Sequence, residues 1–534
     1  MVGGGVAVTA VPPPVMATPA WRSERWGHPI GLPVLFSVEM WERFSYYGMR
    51  SILVLYLRAE LLNPDSGVDL DAVWGSGVVK SLVGGAPQTP SEVQQASSTV
   101  YGLYTGFVYM TPLIGGWLAD RWLGKKLCVS AGLAFMALGH FLMVLETWFF
   151  VGLVVIVCGS GLFKPNMCVQ LGGLYAAGDS RRDRAFSIFY MGVNLGAFFS
   201  PLVVGTIGDP AVLGYRAGFS VAGFGMCAGL ATFLGMGRWL PPPEAIAGAD
   251  LAGGGDGQPG DSGDARRRLL ALLLVCLTLV FFTIAYEQEG NTIQLFFDDH
   301  VDRRIDFPGS PGWRIPSAWL QAINPFLILG LTPLLTRSWK WQATEPECCR
   351  FRCSELETLA KLAWGNCMVG LSFLFLCAAG LALGTDVTGA VEPSLEPEDG
   401  RERVSVLWVL AHILLLTLGE LHVQPVGLSF ISRYAPQGYA SIMMGVWYLA
   451  AFVGSLSAGM IGRYYGTWPV ASFYLLVTVA GTANGVVAVC AVPLLQRWVG
   501  AGEREIALQE VGAAAAGGSA DEERKSLLSS APAS

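Results

Sequence analysis

Residues 39–50 read EMWERFSYYGMR. Two acids and two bases stand inside a run from Pro33 to Leu57 that is otherwise apolar and long enough to cross a bilayer. On a helix, Glu39, Glu42, Arg43, Tyr46, Tyr47 and Arg50 fall at i, i+3, i+4, i+7, i+8 and i+11, a single stripe. Facing lipid, each charge would cost about 3 kcal/mol at the helix centre on insertion scales. The stripe therefore faces a watery cavity or the bundle interior, with acids and bases paired at helical spacing, Glu39 with Arg43 for example. Such a carboxyl can take up and release a proton as its neighbouring base moves. The bland alternative is an ion-pair cluster that only locks helices together.

Other apolar runs carry matching groups. Lys164 sits in GSGLFKPNM, Glu287 and Glu289 in AYEQEGN, and Glu420 in LTLGELHVQPVG. Each could be structural by itself, Glu289 most readily, because Gly290 and Asn291 suggest a polar pocket edge. His412 and His422 share a run but lie ten residues apart, which is not a metal-pair spacing, and read as polar or interface histidines. The first half thus supplies cations (Arg43, Arg50, Lys164) and the second an acid (Glu420). A ligand with a carboxylate at one end and an ammonium at the other matches that polarity, since arginine grips carboxylates bidentately. The tyrosines add contact area and hydroxyls. A zwitterion with a variable middle, such as a short peptide, fits; a sugar needs no such charge separation.

The elements that must position these groups are spans. The chain has 534 residues, 52% hydrophobic and 14% charged, with 67 glycines; its mean hydropathy is +0.48. A soluble domain needs more charged surface, and small residues suit close helix packing in membranes. The expectation is an all-α membrane protein with twelve transmembrane helices, at 33–60, 97–119, 126–146, 148–174, 185–207, 215–239, 269–297, 316–338, 360–384, 404–432, 439–462 and 470–495. Between the sixth and seventh lies PPPEAIAGADLAGGGDGQPGDSGDARRR, a flexible linker over 240–268. The reading is a cytosolic disordered lead (1–28), a six-helix bundle (29–239), the linker, a second six-helix bundle (269–498) and a disordered tail (499–534). The lead, proline-broken and without a basic stretch, does not read as a signal peptide. Net charge, −7, says little when each side of a membrane counts separately.

Alternate loops are basic: Arg121, Lys125 and Lys126; Arg181, Arg182 and Arg184; Arg266, Arg267 and Arg268; Arg337, Lys340, Arg350 and Arg352. The others are acidic or mixed, with Asp65, Asp69 and Asp71, then Asp298, Asp299 and Asp302 beside Arg303 and Arg304, then Glu392, Glu396 and Glu398. The positive-inside rule puts both termini and the linker in the cytosol. The eleven cysteines all fall in spans or cytosolic loops, against a disulfide framework. The cluster Cys348, Cys349 and Cys353 has no histidine at zinc spacing; palmitoylation of such juxtamembrane cysteines is possible chemistry, and plain reduced thiols the simpler reading. No nucleophile elbow, metal-ligand spacing or phosphate loop points to an enzyme. No cofactor, metal or nucleic-acid partner is expected, and the chain reads as a monomer.

The loop GGWLADRWLGKK, Gly115 to Lys126, resembles the signature between the second and third helices of the major facilitator superfamily, which implies two pseudo-symmetric six-helix bundles with substrate near the midplane. EMWERFSYYG resembles the E-x-x-E-R-F-x-Y-Y-G motif of the proton-dependent oligopeptide transporter family. FSIFYMGVNLGAFFSP (186–201), FKPN, Asn324–Pro325, GE followed by PVG, and VWYLAAFVGS match that family in order, over about residues 28 to 497. The resemblance implies proton-coupled symport of di- and tripeptides by alternating access, with protons as the coupling ion. Glu39, Glu42 and Arg43 would couple protons to transport, with Lys164 as partner. Arg43, Arg50 and Lys164 would hold the peptide carboxylate; Asn194, Asn324 and Glu420 the amino group. Tyr46, Tyr47, Tyr109 and Trp447 would line the pocket, and Glu287 would pair with Arg50 across the outer gate. Gly102 stands where animal members of the family carry a histidine, so coupling through that site is not available. An extra helix pair between the halves and a large outer domain are absent.

Two other readings stay open: a carrier of nitrate, histidine or another small solute on the same fold, and a non-transporting receptor or scaffold. Retention of E-x-x-E-R favours peptides, and costly buried charges speak against a scaffold. In the tail, Glu523, Leu527 and Leu528 resemble an acidic dileucine signal read by sorting adaptors. It would take the protein to an endosomal, lysosomal or vacuolar membrane rather than the plasma membrane; a polar tail with two chance leucines is the alternative.

Overall fold

The computed structural model describes residues 23–176, 179, 181–242, 262–307, 310–344, 358–384, 403–436 and 439–529, with side chains described as far as Val499. Its helices are α1 (Gly31–Tyr56), α2 (Ser76–Val83), α3 (Pro90–Leu118), α4 (Lys125–Val144), α5 (Phe149–Gly172), α6 (Arg182–Ile207), α7 (Tyr215–Gly235), α8 (Ser262–Tyr286), α9 (Thr292–His300), α10 (Leu320–Thr344), α11 (Thr358–Ala382), α12 (Leu407–Tyr434), α13 (Ala440–Gly462) and α14 (Val470–Ser529). Two small antiparallel hairpins complete it, β1 (Glu24–Arg25) with β2 (His28–Pro29) and β3 (Arg304–Phe307) with β4 (Ser310–Arg314). Among the described residues, ten helices are apolar and long enough to span a membrane. Helices α1 and α3 match them in length but carry the charged stripe and a polar first turn.

Packing shows a two-fold pattern. In the first half α4 packs on α5 and α7, α1 on α6 and α7, and α3 on α5. In the second, α11 packs on α12 and α14, α8 on α13 and α14, and α10 on α12. Each of these contacts in one half has its counterpart in the other. The halves meet through α3 on α13 and α6 on α10, a pair that the same two-fold exchanges. The central space between them is where a site can form.

Several expected boundaries move, each for a local reason. Helix α3 starts at Pro90 rather than 97, because Thr89 accepts from the Glu92 amide and Glu92 from the Thr89 amide, a capping box outside the apolar run. The span expected at 269–297 is two helices, α8 and α9, separated by a tight turn at Glu287–Asn291. Helix α8 begins at Ser262, inside the stretch read as linker; residues 243–261 lie outside the described ones. The last helix, expected to end at 495, continues to Ser529 across the segment read as a disordered tail. That segment is rich in Ala, Glu and Leu, strong helix formers. The side chains of Glu523, Leu527 and Leu528 and the cluster at 348–353 lie outside the described residues. The loop after α3 is a π-helical turn, Ala119–Leu123, closed by Gly124 in a left-handed conformation, with Lys125 paired to Asp120.

The end of the bundle far from both described termini, the distal end, is closed. There α3 meets α13 backbone to backbone: a Cβ on Gly102 would lie 2.6 Å from the Gly459 Cα. Ser98 donates to Asn291 at 2.9 Å, and Trp319 to Thr206 at 2.9 Å, both across the halves. Arg58 grips Asp299 at 2.6 and 2.8 Å and reaches Asp298 at 3.1 Å.

Candidate substrate and proton site

The stripe on α1 faces inward. Glu42 is fully buried and Glu39 nearly so. Arg43 pairs with Glu39 at 3.1 Å and with Glu42, and lies over the Tyr46 ring. Neither Glu42 oxygen has a hydrogen-bond partner, so this carboxyl is held by charge alone. One turn further, Arg50 donates to Glu287 at 3.1 Å and to the Tyr101 hydroxyl at 2.7 Å; the pair is 3% and 0% exposed. Tyr101 also donates to Glu287. Gly290 makes this junction possible, since a Cβ there would lie 2.2 Å from the Tyr101 hydroxyl and 2.7 Å from Arg50 Nε. Removing either partner of such a buried pair leaves an uncompensated charge, typically about 3–5 kcal/mol.

Glu39, Arg43, Tyr46, Tyr47, Arg50, Tyr109 and Lys164 line one side of a central cavity of about 310 Å³, together with Asn194 on α6. Asn324 on α10 and Glu420 on α12 line the opposite side. Glu420 accepts from Asn324 at 2.8 Å, and the same amide donates to Thr417 at 3.2 Å. Asn194 spends one donor on the Tyr190 carbonyl. Trp447 lines an adjoining aromatic cavity of about 210 Å³, which shares Tyr109, Tyr190 and Tyr286 with the first. Glu42 and Glu287 stand behind the cavity rather than on it. A larger cavity, about 430 Å³, lies between α8, α11 and α14, is almost wholly apolar, and touches none of these charges.

The resemblance makes Lys164 the partner of Glu39, Glu42 and Arg43. Among the described residues it makes no ion pair; its ammonium lies over the rings of Tyr46 (5.1 Å) and Tyr109 (5.8 Å), within electrostatic reach of Glu39 and Glu42, which Arg43 bridges. Sequence reading missed Tyr190, Tyr286, Gln321, Gln424 and Tyr448, all on the cavity wall. Helical spacing was the available signal: Tyr190 is four residues before Asn194, and Gln424 four after Glu420. No group of three or more metal-ligating side chains converges among the described residues.

A family model described as the POT family matches residues 126–242 and 259–470. The chain belongs to the POT family. It is 31% identical to the peptide transporter YePEPT of Yersinia enterocolitica over 84% of this chain and 90% of that one. It is 29% identical to a di-/tripeptide transporter of Lactococcus lactis subsp. cremoris over 86% and 95%. Among solved structures, a peptide transporter POT in complex with sulfate aligns over 90% of this chain and 97% of its own, with a TM-score of 0.69 and 26% identity. The protein is therefore an integral multi-pass membrane transporter with the major facilitator fold, not an enzyme.

Proposed function

We propose that this POT-family chain is a proton-coupled symporter of di- and tripeptides. The observation that carries the reading is the polarity of the cavity. A lysine with no ion pair among the described residues, Lys164, faces it from one half, and a carboxylate, Glu420, braced by Asn324, faces it from the other. A peptide carboxylate would sit on Lys164, and its ammonium on Glu420, Asn324 and Asn194. The names of the curated relatives support the same substrate class. Arg43 and Arg50 would join the carboxylate site only on leaving their acids, and a proton on Glu42 or Glu287 is what would release them. By the loop charges, both termini are cytosolic and the closed distal end faces outward, so the cavity here would be discharging inward. The proposed working unit is a monomer.

The test is uptake of a labelled dipeptide into proteoliposomes, with and without an inward acid gradient. Gradient-driven accumulation supports the reading. Absence of any dipeptide uptake overturns it, in favour of another small solute on this fold or a receptor role.

A further inference from the structure

The apolar cavity between α8, α11 and α14 stands apart from the charged one, and the packing of α14 creates it. Against α11 that helix comes backbone to backbone: a Cβ on Gly485 would lie 2.5 Å from the Cys367 amide nitrogen. Toward α8 it presents Ala480, Ala483 and Ala491, whose small side chains leave about 430 Å³ facing Leu274 and Phe281. The polar side chains on the cavity wall are engaged by the protein. Asn484 donates to the Thr278 carbonyl at 3.2 Å and to Asn366 at 2.9 Å, and Asn366 donates to the Leu362 carbonyl at 2.8 Å. Such a space offers water few partners and suits an apolar occupant.

Two exposed stripes lead out of it. On α8, Leu270, Leu274, Leu277 and Phe281 follow Arg266 at i+4, i+8, i+11 and i+15, one face of the helix. On α14, Ala480, Ala483, Val487 and Leu494 lead to Arg497 on one face. Both arginines are exposed. The two helices run in opposite directions, and from the bond between Asn484 and Thr278 each arginine lies about 18–20 Å along its helix. They therefore stand at one level, at the mouth of the groove.

We propose that this groove is a binding site for an anionic phospholipid, with an acyl chain in the cavity and the phosphate between Arg266 and Arg497. From Ala480 to Leu495 the lining runs about 22 Å along α14, and one leaflet of hydrocarbon is about 15 Å deep. Helix α14 is the least covered of the ten spans, so lipid reaches the groove without any rearrangement. Its basic end is the one that the loop charges assign to the cytosol, and the cytoplasmic leaflet carries anionic lipids.

The experiment is native mass spectrometry of the full chain, released from detergent micelles that hold equal amounts of phosphatidylglycerol and phosphatidylcholine with the same acyl chains. The expected result is a phosphatidylglycerol adduct at least about fivefold more abundant than the phosphatidylcholine one, the factor for a single arginine beside an anionic headgroup. Arg266→Gln combined with Arg497→Gln brings that ratio toward one. Ala483→Phe, which fills the cavity and keeps both arginines, removes both adducts. Equal adducts in the wild type overturn the inference, as does a preference that survives the loss of both arginines. Adducts that survive Ala483→Phe also overturn it, because the lipid then lies elsewhere on the surface. A dimer that Ala483→Phe dissociates overturns it too and assigns the groove to a second copy. The wild-type ratio and the arginine pair decide even if Ala483→Phe does not fold.

Discussion

The two walls of the cavity carry opposite charge and hold it in different ways. On α1, Arg43 pairs with two acids of the same helix, one positive charge against two negative ones. Arg50 takes its acid from the opposite half, and Lys164, from α5, makes no ion pair among the described residues. On the second half nothing is settled locally by a cation. Glu287 takes its base from the opposite half, Glu420 has a neutral amide, and the Oε1 of Glu289 has no hydrogen-bond partner. The Glu39, Glu42 and Arg43 group can keep its pairing in any arrangement of the halves, whereas Arg50 depends on Glu287 of the other half. The second wall completes its charges only when the distal end is closed or a ligand is present. Gate closure and ligand binding thus draw on the same deficit, which is how two remote events can be coupled through one set of buried acids.

The strongest way to break this comparison is Glu42→Gln. It removes the buried carboxyl that only charge holds, and should abolish proton-driven accumulation while leaving counterflow. Accumulation that persists would show that the first wall is merely structural. Next, Lys164→Met should weaken dialanine binding about 10- to 100-fold, the range of about 1.5–3 kcal/mol for hydrogen bonds to charged groups. A peptide amidated at its C-terminus should be indifferent to that change. Glu420→Gln should cost about tenfold, at the low end of the same range because the Asn324 amide remains, and an N-acetylated peptide should be indifferent to it. Equal losses for blocked and unblocked peptides, in competition binding, would erase the distinction between the walls.

How much of this was legible followed from what each feature costs. Buried charge is expensive, so the stripe on α1, Lys164 and Glu420 stood out of apolar runs. Pocket residues without charge cost little anywhere, and Tyr190, Gln321 and Gln424 gave no comparable signal. Spans were legible as apolar length, but their ends were not where polar chemistry sets them, as at the Thr89 capping box. The break in α8 was written in Gly290 and Asn291, yet Gly290 could be explained only by seeing Arg50 and Tyr101 against it. Likewise Gly102 read as a missing histidine. In the fold it is a crossing point, where any side chain would meet the backbone of Gly459. Which helix faces which is tertiary information that composition does not hold.

The smallest expected effect concerns the distal end itself, where two ion locks differ in depth. Arg50 and Glu287 are buried, whereas the Arg58, Asp299 and Asp298 side chains are 10%, 16% and 29% exposed. Partly exposed pairs contribute about 0–1 kcal/mol, so Arg58→Ala should raise the open fraction of the distal end by no more than about fivefold. The Gly102–Gly459 crossing stays intact and still seals it. The readout is labelling of Ser98→Cys by an impermeant thiol reagent, counted above the chain without that cysteine, since Ser98 is buried against Asn291 when the end is closed. A much larger rise would place the main seal at the rim. The second wall's acids would then be completed by Arg58 closing over them, rather than by Arg50 within the cavity.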